Sequence, residues 1–347
     1  MELVNALEKL SNVCGVTGRE DEVRKLLKPM IKPYVDEIKE DKLGNLIGVK
    51  KGKKKVPKIM LAAHMDEIGL IVKNVTKNGF LQFAKLGGID DRILVAQRVL
   101  VHTKKGVKPG IIGSRPPHIM KAEEKKKAIE AESLFIDVGA SSKKDAQKIG
   151  VEVGNVVSFD TKFAKVTKDL VIGKSFDDRV GCCLMVEVLR QLKNVDCTVF
   201  AVGTVQEEVG LRGATVSAFQ IYPDLALAFD VTVAGDVPGV KEVESSVKMK
   251  KGPVIGVMDA GLITHPKVLS LLVSTAEKIK VPYQLETGLA GSTDAARIAL
   301  TREGVPCGTL AIPTRYIHSP TSMLSLSDVQ NATKLAVAAI KETPKNF

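Results

Sequence analysis

The chain has 347 residues, 44% of them hydrophobic and 26% charged, with a formal net charge of +11. This length accommodates one large domain or two ordinary ones around a sizeable core, and the balance is that of a soluble globular protein. No apolar stretch approaches about 18 residues, and Met1-Glu2-Leu3-Val4 opens an amphipathic pattern instead of a signal peptide, so a cytoplasmic protein without a membrane partner is expected.

The N-terminus reads as helix. Thr17-Gly18-Arg19-Glu20 has capping-box spacing, and Val23, Leu26, Leu27 and Met30 follow at helical intervals. Strands are predicted at 45–49 and 58–63. From about 68 to 159 the texture changes to short β-rich runs (68–72, 98–102 and 153–159) separated by glycine-containing turns. Residues 142–149 form the clear helix there, beside a polar stretch at 121–132. The pattern predicts a small β-barrel or sandwich inserted into a larger fold. After about 165, strands at 198–204 and 225–229 alternate with helices at 178–192, 264–280 and 326–341. This alternation predicts an α/β fold: a mixed, largely parallel sheet covered by helices on both faces. Residues 1–67 and 165–347 then form one discontinuous domain, interrupted by 68–164, and an insertion with neighbouring ends is structurally easy to accommodate.

Chemistry-bearing residues gather where strands end. His64 and Asp66 close one apolar run and Glu207-Glu208 another. Asp177-Asp178 precedes a helix, Asp230 ends the run 225–229, and His318 lies in a loop before Pro320. The ends of α/β strands are where such folds present their sites. Two histidines with several carboxylates suit two cations of the zinc type. His64 and Asp66, two apart, can share one face. Either aspartate of the 177–178 pair can cap the helix or bridge cations. Of Glu207 and Glu208, one can bind metal while the other carries protons. His102, His118 and His265 lack such a setting.

The five cysteines (Cys14, Cys182, Cys183, Cys197 and Cys307) are odd in number and lack C-x-x-C spacing. The set fits a reducing compartment, and Cys182 and Cys183, inside an apolar helix pattern, are read as packing residues and not as ligands. The basic balance raises nucleic acid as a partner. Apart from runs at 51–55 and 121–127, however, the lysines are scattered, aromatics are 4% and Trp is absent, so a solvated surface is expected instead.

Taken together, His64-Met65-Asp66-Glu67, Asp177-Asp178-Arg179, Glu207-Glu208-Val209-Gly210, Asp230 and His318-Ser319-Pro320 resemble the tetrahedral aminopeptidases. These are di-zinc glutamyl and deblocking aminopeptidases, some carrying an endoglucanase label. The resemblance extends to Gly15-Val16-Thr17-Gly18-Arg19-Glu20 and Gly291-Ser292-Thr293-Asp294-Ala295. It implies that His64 and Asp230 hold one metal, Glu208 and His318 the other, and that Asp177 bridges them. Glu207 becomes the general base and acid, and Asp66 the residue orienting His64. Two divalent ions are implied, zinc first, with cobalt or manganese as competitors. The implied substrates are peptides with a free N-terminus, cleaved by water activated between the cations. The insertion 68–164 becomes a dimerisation domain of a tetrahedral homododecamer.

Three other readings compete. An endoglucanase needs separated carboxylates and sugar-stacking aromatics, which the pattern lacks. A deblocking deacylase keeps the metals and changes the substrate. A basic nucleic-acid-binding protein with structural metals would use closed, cysteine-rich sites.

Overall fold

Period-two alternation along one strand sets the architecture. In β3 (Lys58–His64), Ile59, Leu61 and Ala63 face one core while Met60 and Ala62 face another. A strand apolar on both faces must be covered on both, and it is. The computed structural model describes residues 3–121, 128–288 and 290–343; of the basic run at 121–127, only Lys121 is among them.

The chain opens with α1 (Leu3–Asn12), α2 (Asp21–Ile31), β1 (Glu37–Glu40) and β2 (Leu46–Lys50) before β3. It then leaves the sheet to build β4 (Gly69–Val75), β5 (Leu81–Leu86), β6 (Arg98–Thr103), β7 (Gly106–Gly113), β8 (Phe135–Asp137), α3 (Lys143–Lys148) and β9 (Val156–Phe159). These six strands close an antiparallel barrel in the order β4-β5-β8-β7-β6-β9, around a core of its own that includes Leu70, Val101, Ile112 and Ile136. The inserted barrel expected from the glycine-punctuated run is therefore present.

The chain returns through β10 (Ala164–Lys165) and β11 (Leu170–Gly173) to α4 (Phe176–Gln191), β12 (Thr198–Thr204), α5 (Arg212–Ile221) and β13 (Leu225–Val233). It ends with β14 (Val254–Met258), α6 (Pro266–Ile279), β15 (Gln284–Thr287), α7 (Asp294–Ala299), β16 (Cys307–Arg315), β17 (Ser322–Ser325) and α8 (Leu326–Glu342). The sheet runs β1-β2-β12-β3-β13-β16-β17-β11-β10, with β14 and β15 branching from β16. Its centre, β12-β3-β13-β16, is parallel. Helices α1, α2, α4, α6 and α8 bury the larger core on one face, and α5 and α7 cover the other. Among the described residues no helix is long and apolar enough to cross a membrane. All five cysteines are free, and Cys182 and Cys183 are packed inside α4.

The capping-box expectation is corrected. Glu20, not Thr17, occupies the N-cap position of α2, and it makes no side-chain bond to that helix. Thr17 Oγ1 donates instead to Asp66 Oδ2. Glu20 Oε1 accepts from the amides of Gly18 at 2.7 Å and Gln206 at 3.1 Å, tying the N-terminal segment to the loop after β12.

Below that loop lies a buried ionic cluster. Glu67, just past β3, takes the Lys174 ammonium at 2.6 Å on Oε2 and the Gly15 amide at 2.8 Å on Oε1. Arg179, fully buried in α4, stands 3.5 Å from Glu67 Oε1 and donates to the carbonyls of Met65 at 2.9 Å and Leu10 at 2.7 Å. Burial opposes ionisation of Glu67, but the Lys174 and Arg179 charges hold its carboxyl below the usual range. Removing one partner strands buried charge. Glu67→Gln is expected to cost roughly 3–5 kcal/mol in denaturant unfolding. Glu67→Gln combined with Lys174→Met should lose less than the two single variants summed, and strict additivity would contradict the coupling.

Candidate metal centre

Register brings the candidate residues together. Thr204 of β12 pairs with His64 of β3, so Glu207 and Glu208 emerge just beyond that strand end. On the other side Ala62 pairs with Ala228, and two residues further along each strand come His64 and Asp230. The residues thus converge at the C-terminal edge of the parallel core, where open α/β sheets place their ligands.

Asp177 sits at the middle. Its Oδ1 lies 3.0 Å from His64 Nε2, and its Oδ2 lies 3.3 Å from His318 Nε2. His318 Nε2 is also 3.8 Å from Glu208 Oε2. Two clusters result, His64–Asp177–Asp230 and Asp177–Glu208–His318, each with its ligand atoms within 4.8 Å of one another and with Asp177 in both. Asp178 does different work: its Oδ2 accepts from the His64 amide and its Oδ1 from the Gly181 amide, both at 3.1 Å, which caps the body of α4.

Asp66 organises the opposite wall. Its two oxygens accept from the backbone amides of Glu207 at 3.0 Å and Glu208 at 3.2 Å, while Oδ1 stands 3.6 Å from His64 Nδ1. Glu207 lines a cavity of about 360 Å³ together with His64, Asp177, Asp230 and His318.

The electrostatics favour added positive charge, as protons or as cations. The Gly88 carbonyl can only accept, so His318 Nδ1, 2.8 Å away, must carry a proton. Its Nε2 faces Asp177 and Glu208, where it either donates as an imidazolium or, as a neutral ring, offers its lone pair to a cation standing between them. His64 Nδ1 and Glu208 Oε1 are buried without a hydrogen-bond partner. Burial, with Asp177 next, pushes Glu208 up to about 8 and Asp230 up to about 7. Hydrogen bonding to Asp177 pushes His318 up to about 10. Burial also drives Glu207 well above the carboxylate range, with Asp230 and Asp294 adding to it. Imidazole nitrogens and carboxylate oxygens converging in this way fit divalent ions of the zinc class.

Some supporting residues carried little or no signal in the sequence. Gly88 orients His318 from the barrel side. Its neighbour Gly87 has φ +85°, and a Cβ at that position would stand only 2.7 Å from Ile68 Cγ2 and 2.9 Å from Glu208 Oε2. That left-handed backbone in close contact admits only glycine without strain. Asp294 is buried and accepts from Thr204 Oγ1 at 2.5 Å. The motif 291–295 hinted at it, but nothing in the spacing tied it to Thr204.

The chain is similar to known aminopeptidases along nearly its whole length. A putative aminopeptidase of Acetivibrio thermocellus is 44% identical over 98% of both chains. The crystal structure of a TET aminopeptidase from a marine sediment Thaumarchaeota archaeon superposes with a TM-score of 0.95 at 40% identity, covering 98% of this chain and 96% of that one. The TET1 peptidase of Pyrococcus horikoshii, which can assemble into a tetrahedron or a large octahedral shell, gives 0.89 at 34% identity over 98% and 100%. The family described as M42 glutamyl aminopeptidase matches residues 44–335, and the chain therefore belongs to that family of metal-dependent aminopeptidases.

Proposed function

We propose that the enzyme holds two divalent cations, one on His64, Asp177 and Asp230 and the other on Asp177, Glu208 and His318, and trims residues from free peptide N-termini. The observation that carries this reading is the pair of donor clusters sharing Asp177. Imidazole and carboxylate donors suit zinc, with cobalt and manganese as competitors. When bound, such ions supply Lewis acidity to water and to the scissile carbonyl.

The remaining work falls to the chain. Glu207, on the cavity wall, takes a proton from the attacking water oxygen and delivers it to the leaving amine nitrogen. Its raised proton affinity, from burial first, suits a group that must hold that proton between the two transfers. Asp66 fixes the Glu207–Glu208 backbone and, 3.6 Å from His64 Nδ1, sets the imidazole orientation. The crowded carboxylates around the cavity offer a counter-charge to the substrate's α-ammonium, which favours exopeptidase over endopeptidase action.

The assembly belongs to the same reading. Segment 68–164 serves as a dimerisation domain within a tetrahedral homododecamer, supported by full-length similarity to a peptidase that forms such shells. The barrel also exposes Val107 and Ile111 on β7, apolar side chains suited to a protein contact. Free cysteines throughout support a cytoplasmic location.

Metal-loaded protein given a mixture of free and N-acetylated peptides should shorten only the free ones, stepwise by mass spectrometry, and a chelator should stop it. Removal of blocked residues would favour deacylation instead. Glu207→Gln is expected to lower kcat by about 10²–10⁴-fold with metal content unchanged by elemental analysis. Near-normal turnover in that variant would remove Glu207 as the proton carrier. Light scattering should return twelve times the chain mass, and a monomer would overturn the assembly.

A further inference from the structure

The cavity holding the candidate metal residues extends along β13 to a second polar end. Asp230 and Thr232 lie on the same face of β13, one strand repeat apart, about 6.6 Å along the strand. Thr232 Oγ1 donates to Glu286 Oε2 at 2.7 Å, which fixes the Glu286 carboxylate from β15, the outer strand of the β14–β15 branch. Asp259, at the end of β14, lines the same cavity and spends Oδ1 on the amides of Gly261 and Leu262, both at 2.7 Å. Among the described residues neither carboxylate forms an ion pair, and none of the described lining residues is Lys or Arg. Ser292 Oγ, buried and without a partner, lines the cavity as well. Burial, reinforced by the facing Asp259, pushes Glu286 above the usual carboxylate range, the response of an acid without a counter-ion.

We propose that Glu286 and Asp259 form the specificity end of this cavity and select peptides whose N-terminal residue is lysine or arginine. This rests on the aminopeptidase reading above. With the scissile carbonyl beside His64, Asp177 and Asp230, the first side chain projects along β13 toward Thr232 and Glu286. The gap is one that a flexible four-carbon stem ending in an ammonium bridges. Met258, Leu262 and Ile317 supply apolar wall for the stem, and the carboxylates and Ser292 Oγ receive the charged head. An acidic first side chain would meet two like charges, and a leucine would leave both acids without a partner.

The test uses metal-loaded, full-length enzyme and peptides differing only in the first residue: Lys, Arg, Leu or Glu. Wild-type kcat/KM should be higher for Lys and Arg than for Leu by about tenfold or more, and lowest for Glu, with the difference mainly in KM. Glu286→Gln should reduce the Lys-to-Leu ratio by about 10–100-fold, and Asp259→Asn should reduce it as well. Glu286→Lys should move the preference toward glutamyl peptides. Calorimetric titration with lysine amide and leucine amide, which needs no turnover, should give the same order of affinities and lose it in Glu286→Gln. A wild-type preference for leucyl or glutamyl peptides, or a Lys-to-Leu ratio untouched in both neutral variants, would overturn the assignment while leaving the aminopeptidase intact. Failure to cleave any of the peptides would overturn both readings together.

Discussion

Two buried cations, Lys174 and Arg179, share the single buried carboxylate of Glu67. Beyond their charges they reach the carbonyls of Leu10, Val13 and Met65, so three remote segments meet at one point. One segment is the exit of β3, which carries His64 and Asp66. Another is the head of α4, which carries Asp177. The third is the N-terminal stretch whose Thr17 and Glu20 grip Asp66 and the Gln206 amide. Buried ion pairs of this kind contribute little net stability over an apolar substitute, and this one ties together the segments that carry His64 and Asp177.

Above this base the site inverts the balance of charge. The cluster beneath pairs cations with an anion, whereas the cavity gathers Asp177, Glu207, Glu208 and Asp230 around two histidines. Such crowding raises proton affinities unless positive charge is supplied. The same electrostatic demand that fits metal ions at one end fits an ammonium at the other, where Glu286 and Asp259 stand without cationic partners among the described residues. A single acidic trough thus divides its roles by what fills each end.

Much of this was legible in the chain because strands apolar on both faces leave little choice for a polar residue at their end. His64, Asp230 and the Glu207-Glu208 pair stood out for that reason. The barrel was visible through its short β runs and glycine turns. Helices α5 and α7 were not, because α5 packs on the sheet through Gly213, Ala214, Ser217 and Ala218, small residues that give no strong apolar periodicity. Thr17 to Glu20 matched a capping box by spacing, yet a stronger acceptor, the buried Asp66 carboxylate, claimed the threonine. Spacing alone did not separate Asp177 from Asp178 either; the backbone at the head of α4 turns one toward the histidines and the other toward the Gly181 amide. Contacts such as Gly88 with His318, 230 residues apart, leave no local trace at all.

That last contact has a consequence for biosynthesis. His318 leaves the ribosome after every other candidate metal residue, and its Nδ1 meets a loop of the inserted barrel made long before. A growing chain holds His64, Asp177, Glu207, Glu208 and Asp230 well before it holds the second imidazole, and only a chain with both its barrel and its late strands in place aligns all of them. On the proposed reading, the second cation site is the last part of the centre to be completed along the chain.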